Sequence, residues 1–171
     1  MARFARRQED FDHTSWLGLV DVTGPFLSLP VLRRTWPALD ALDKASRERL
    51  RREHKALPGR SWIDYVLTEL LGWRELVRFE DQVTGLALDV PAYETTVAPS
   101  FALLEPGAEV GGDTKSVHLL GLICDGHPSH RIKHSDWTAT PVDRLAQLCR
   151  HHDVQLGLAT DGRWWALVWA P

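Results

Sequence analysis

The chain has 171 residues, 44% of them hydrophobic, enough to bury one core and too few to expect two. No apolar run reaches membrane-spanning length, the two cysteines are too few for a disulfide scaffold, and no basic n-region precedes an apolar stretch, so a soluble protein of the reducing cytoplasm is expected. The net charge of −3 is unevenly laid out, with nine Lys/Arg against four Asp/Glu over residues 31–60 and three against ten over 61–116.

Met1–His13, polar with three arginines, reads as a frayed terminus. Trp16–Val22 reads as an extended apolar segment stopped by Thr23-Gly24-Pro25, and Phe26–Leu32 continues it toward Trp36-Pro37. Ala38–Ala56 is expected as a helix with a thin apolar stripe of Leu39, Leu42 and Leu50. Its charged face, Arg47, Arg51, Arg52 and Lys55, is either solvated or the place where a phosphate backbone is met. Leu57-Pro58-Gly59-Arg60 breaks the chain, dividing an N-terminal extension, 1–60, from an α/β core, 61–171.

Ser61, with Asp64 three residues on, is expected to cap a second helix, in which Trp62, Ile63, Val66, Leu67, Leu70 and Leu71 recur at helical spacing and form a broad buried face. Gly72 supplies its stop. The pattern then turns to strands at Leu86–Val90, Thr95–Leu104 (with Pro99) and Val117–Cys124, with turn signals at Glu105-Pro106-Gly107 and Gly111-Gly112-Asp113.

Three signals agree in the last thirty or so residues. Thr140 caps a helix, Pro141 suits its first position, and Asp143 completes a capping box. Val142, Leu145, Leu148 and Cys149 form its apolar face, leaving Arg144, Gln147, Arg150, His151 and Asp153 for solvent or a partner. Val154–Ala159 and Trp164–Trp169 follow as strands joined by Asp161-Gly162, a dipeptide suited to a two-residue type I′ turn. From Ser61 the order is αβββαβ plus a closing strand: an α/β fold, a mixed sheet flanked by helices, and the core order of the restriction-endonuclease-like nucleases.

Four segments carry a resemblance: Gly24-Pro25-Phe26-Leu27-Ser28-Leu29-Pro30-Val31-Leu32, Val97-Ala98-Pro99-Ser100-Phe101-Ala102-Leu103-Leu104, Trp137-Thr138-Ala139-Thr140-Pro141-Val142-Asp143-Arg144-Leu145 and Thr160-Asp161-Gly162-Arg163-Trp164-Trp165. Together they resemble the N-terminal, restriction-endonuclease-like region of large S-adenosylmethionine-dependent DNA methyltransferases of type IIG-like restriction-modification and phage-defence systems. The Asp-Gly-Arg-Trp hairpin is similar to the one that ends the nuclease-like domain of type I restriction subunits. The resemblance implies a nuclease-derived domain ahead of a methyltransferase, with DNA and the methyltransferase domain or other defence-system subunits as partners, and no membrane. Relatives would run on past Pro171. S-adenosylmethionine would belong to the parent family, and this chain shows neither an Asn/Asp-Pro-Pro-Tyr/Phe motif nor a glycine-rich cofactor turn.

A nuclease of this class holds Mg²⁺ between an acid on one strand and an acid-x-Lys pair on the next. Here the first acid aligns with Ser100, after Pro99, so the first carboxylate is missing, and the pair aligns with about Gly121 and Ile123, neither of which can bind a hard cation. Displaced candidates, Asp113-Thr114-Lys115 and Glu53-His54-Lys55, fall on a turn and on the basic helix, so no catalytic residue is expected. An active Mg²⁺-dependent endonuclease would have to recruit acids such as Asp89 or Glu94. A module that binds only protein is the third reading.

Cys124, His127, His130 and His134 have zinc-like spacings but crowd into eleven residues, where a structural zinc usually staples separate segments. Of the eight tryptophans, Trp164 and Trp165 are expected to face opposite ways, Trp169 sharing the face of Trp165. One ring packs in the core, and the outward one stacks on a base or covers a neighbouring domain. Cys149, on the apolar helical face, is expected to be buried and not nucleophilic.

Overall fold

The computed structural model describes residues 20–21, 28–36, 42–110, 114–133, 135 and 137–171. The chain divides into two compact units, 1–52 and 53–171. The frayed terminus Met1–His13 and the segment Trp16–Val22, apart from Val20 and Asp21, lie outside the described residues.

In the first unit the extension of Phe26–Leu32 gives way to a helix, α1, Leu29–Thr35. Ser28 is its extended N-cap and Pro30 stands in the first turn, where its fixed φ is preorganised and its missing N–H costs nothing. The next helix, α2, spans Lys44–Ala56 and so starts later than Ala38, of which residues 38–41 lie outside the described set. Asp43 sets that start: its carboxylate accepts from the Ser46 N–H at 2.9 Å and the Ser46 hydroxyl at 2.7 Å, bonds that hold its pKa below the usual carboxylate value. No residue of α2 is buried. The division between units falls inside this helix, ahead of the Leu57-Pro58-Gly59-Arg60 break.

In the second unit α3, Arg60–Tyr65, runs into a π turn over Val66–Leu70. Its N-cap is Gly59 at φ 56°, not Ser61, because Arg60 takes Asp64 away from a capping role with an Nε–Oδ1 contact of 2.7 Å. The Leu71 N–H reaches back five residues to the Val66 carbonyl at 2.9 Å, and Gly72 at φ 68° ends the element as expected. The wider turn rotates everything after it. Ile63 and Leu67 are buried, whereas Leu70 and Leu71, expected on the same face, are 45% and 46% exposed.

The strands are β1 (Val77–Phe79), β2 (Leu88–Val90), β3 (Thr95–Val97), β4 (Phe101–Leu104), β5 (Val117–Ile123), β6 (Leu156–Thr160) and β7 (Trp165–Trp169), with α4 (Pro141–His151) between β5 and β6. Five form one mixed sheet in the order β1-β4-β5-β6-β7, antiparallel except for the parallel pair β5 and β6. The expected strand Thr95–Leu104 is two strands in two sheets, because Pro99, lacking an N–H, interrupts the ladder. β2 and β3 pair only with each other, and β1, three residues with Arg78 at its centre, takes the place expected for Leu86–Val90.

Each face of the sheet carries its own core. On one, Leu145, Leu148 and Cys149 of α4 pack with Ala102, Leu120, Ala159, Val168 and Trp137, joined by Val83, Leu86, Val90 and Val97. On the other, Ile63 and Leu67 pack with Val77, Phe101, Leu119 and Leu158. Two glycines let large groups close in. A Cβ on Gly157 would stand 2.8 Å from Leu145, and one on Gly121 would stand 2.2 Å from the Phe101 ring. α4 keeps its expected capping box, with Asp143 N–H donating to Thr140 Oγ1 at 3.1 Å and Thr140 N–H donating to Asp143 Oδ2 at the same distance. Asp153, at φ 56°, stops it.

The hairpin loop is longer than the two-residue turn expected. Thr160 pairs with Trp165, leaving Asp161–Trp164 as a four-residue loop in which only Gly162 has positive φ, 86°. Asp161 Oδ1 accepts from the Arg163 and Trp164 N–H groups at 2.9 and 2.6 Å, and the buried Thr160 hydroxyl donates to the Trp164 carbonyl at 2.8 Å. The Asp side chain thus replaces the backbone bonds of a tighter turn. Trp165 packs on the sheet face of Leu158, while Trp164 is exposed.

Gly121→Ala must push a fully buried ring aside, so it is expected to lower unfolding free energy by about 3 kcal/mol, measured by urea denaturation. The half-buried His152 ring contacts the Leu86 carbonyl at 2.9 Å, and burial pulls its pKa below the ordinary histidine value against that bond. The unfolded chain therefore binds the proton more readily. Stability contributed by neutral His152 is present above about pH 6.5 and lost as pH falls toward the depressed folded value, and His152→Gln should flatten that part of a stability–pH curve.

Candidate functional site

Ser100, Gly121 and Ile123 come from β5 and the residue just before β4, and the structure brings them together. Ser100 N–H donates to the Gly121 carbonyl at 2.7 Å, and Ser100 Oγ accepts from the Ile123 N–H at 2.9 Å. The serine hydroxyl is thus spent on the backbone of the neighbouring strand. Phe101, with no exposed surface, fills the space above Gly121 where a side chain would stand. These positions present a hydroxyl, a hydrogen and an alkyl group, and offer no carboxylate to a hard cation.

The alternative acids do not replace them. Asp89 and Glu94 sit on the β2–β3 hairpin, Asp89 accepting from Thr96 Oγ1 at 2.6 Å and Glu94 exposed in the left-handed region at φ 47°. Glu53 lies on α2, and Asp113 is outside the described residues. Among the described residues, no three His, Cys, Asp or Glu side chains gather as a metal site.

Beyond the carboxyl end of β5 lies a groove of about 610 Å³, walled by Thr96 and Val97, the end of β5, the connection from Cys124 to Lys133, and Pro141 and Arg144 at the start of α4. Cys124, His127 and His130 all border it without forming a zinc set. Cys124 Sγ is turned toward the Thr160 carbonyl at 3.3 Å, and His127 Nδ1 accepts from the Ser129 N–H at 3.2 Å. The His127 and His130 rings stack at 4.4 Å, and His134 lies outside the described residues.

Arg144, which the helical periodicity left for solvent or a partner, borders the groove. Its Nη2 donates to Ser135 Oγ at 2.6 Å and to the Trp137 carbonyl, and its guanidinium lies 4.9 Å from the Trp137 ring, which also stacks on Tyr93 at 5.5 Å. Its Nε is buried with no hydrogen-bond partner among the described residues, and burial lowers its pKa from the ordinary arginine value. Among the described residues neither Arg144 nor Arg131 nor Lys133 is paired with a carboxylate. The available signal in the sequence was Arg131-Ile132-Lys133 beside a capped helix start, a cluster masked by the histidines around it.

Arg47, Arg51, Arg52 and Lys55 are all exposed on α2, at spacings that place them on one side of a helix. Among the described residues only Lys44 of α2 forms an ion pair, with Glu48 at 3.9 Å. No family model matches the chain, and no curated protein or solved structure does either. Among the described residues no helix is long and apolar enough to cross a membrane.

Burial pushes both thiols, Cys124 and Cys149, up to about 11, Asp161 adding to the rise at Cys124. Both should therefore react with a disulfide reagent near neutral pH at least about tenfold more slowly than free cysteine, recovering full reactivity on unfolding.

Proposed function

We propose that this chain is a catalytically silent, restriction-endonuclease-like domain of a DNA methyltransferase, serving DNA engagement or domain organisation in a cytoplasmic restriction-modification or phage-defence system. One observation carries the reading. The positions that the resemblance assigns to the metal-binding acids, Ser100, Gly121 and Ile123, meet at one point of the sheet, and that point holds no carboxylate. The succession α3, β1, β4, β5, α4, β6 supports the same lineage, since it is an αβββαβ order within one mixed sheet once the β2–β3 hairpin is set aside. The methyltransferase context is carried by the four resembling segments.

The arginines of α2, without an ion pair among the described residues, suit contacts to phosphates that fix position without reading bases. Exposed Leu70, Leu71 and Leu167 suit a neighbouring domain. No cofactor is assigned to this chain itself. S-adenosylmethionine belongs to the parent enzyme, and Mg²⁺ would enter only with nuclease activity.

Plasmid incubated with the purified chain and Mg²⁺ or Mn²⁺ should stay supercoiled. Nicking that disappears in Asp89→Ala, Glu94→Ala or Asp113→Ala would establish an active endonuclease instead. Duplex DNA should be retarded at low salt, and Arg47→Glu, Arg51→Glu and Arg52→Glu together should weaken binding and reduce the log–log salt slope by about 3. Unchanged binding in that variant would leave a scaffold without DNA contact through α2.

A further inference from the structure

The guanidinium of Arg144 is poorly compensated in the structure as it stands. An arginine cannot shed its charge, so one drawn out of water needs an anion or a full set of acceptors. Arg144 has neither. Nη2 is satisfied by Ser135 and the Trp137 carbonyl, Nε is buried and unpartnered, and Nη1 has no partner among the described residues. The Trp137 face offsets part of the deficit through its π cloud. That stack also fixes the guanidinium in place at the wall of the groove.

The rest of the groove has the matching chemistry. Arg131 and Lys133, both exposed, join Arg144 in its lining, where Asp125 is the single carboxylate among the described residues. Nearby, His130 stacks on His127, and the exposed Trp164 lies 4.9 Å from His127, giving one rim a set of flat rings of the kind on which a nucleobase can stack. The volume of about 610 Å³ is that of a site for a molecule of nucleotide size, larger than inorganic phosphate requires.

We propose that this groove is a phosphate-binding site in which Arg144, Arg131 and Lys133 hold the phosphate of a nucleotide unit while the His127–Trp164 rim stacks its base. The unit is either a free nucleotide or the 5′-phosphorylated end of a strand, which present the same phosphomonoester. This binding does not depend on the lineage proposed above or on α2, and involves no covalent step.

Calorimetric titration of the whole chain with a short oligothymidylate, 5′-phosphorylated or not, tests the site. The phosphorylated strand should bind at least about tenfold tighter, one charge-assisted contact being worth roughly that factor. Arg131→Glu with Lys133→Glu, both on the surface, should erase that preference without shifting the melting temperature. Arg144→Gln should also erase it, with a lower melting temperature tolerated because Ser135 and Trp137 lose their donor. The Arg47→Glu, Arg51→Glu, Arg52→Glu variant should retain it, which separates this site from DNA contact along α2. Thymidine 5′-monophosphate binding as tightly as the phosphorylated strand would identify the ligand as a free nucleotide, and weaker binding would identify a strand end. Equal affinity for the two strands, no binding of either, or a preference that survives the Arg131/Lys133 double variant would overturn the proposal.

Discussion

Because β5 and β6 run parallel, the chain cannot pass between them by a turn and must cross one face of the sheet. That requirement places α4 where it is and sends the connection Cys124–Thr140 out beyond the end of β5. The crossing is tight: Leu145 and Cys149 sit directly over Gly157, leaving no space for a Cβ on β6. Helix and sheet therefore share one core. Groove, capping box and the Arg144–Trp137 stack all lie along that one crossover, so the geometry of the candidate site is inherited from the direction of a strand.

The opposite face is closed differently. α3 and its π turn cover it with only two fully buried side chains, Ile63 and Leu67, and the indole N–H of Trp62 ties α3 to the hairpin through the Gly162 carbonyl at 3.1 Å. Arg60 reinforces the start of α3 by reaching both Asp64 and Glu80 at 2.7 Å while lying over Phe79. These ion pairs are substantially exposed and contribute little energy compared with the apolar contacts. Their effect is on placement, since they fix where α3 begins and hence which of its side chains meet the sheet.

Much of the second unit was legible in the sequence wherever local chemistry and burial agreed. Thr140, Pro141 and Asp143 located α4, and the apolar runs located β5, β6 and β7, because each of these elements satisfies its own ends and buries one clear face. Legibility failed where geometry depended on distant partners. Nothing local distinguishes a π turn from an α-helix at Val66–Leu70, so Leu70 and Leu71 were placed inside; nothing in Val77-Arg78-Phe79 shows that β4 lies beside it. That Ser100 lies beside Gly121 and Ile123 follows from the pairing of β4 with β5, which no local sequence signal shows. The surroundings of Arg144 were not readable, since they come from its stack on Trp137 and its hydrogen bond to Ser135.

Phe101 and Gly121 face each other across neighbouring strands, and the ring occupies the volume a side chain at 121 would need. The two positions are consequently coupled in any evolutionary path. A glycine-to-aspartate change is a small genetic step, yet here an acid introduced first meets a buried aromatic ring, and a smaller residue introduced first at 101 leaves a cavity. Each single step is penalised before the second can compensate. A carboxylate at this point of the sheet is therefore disfavoured by packing alone unless both positions change together.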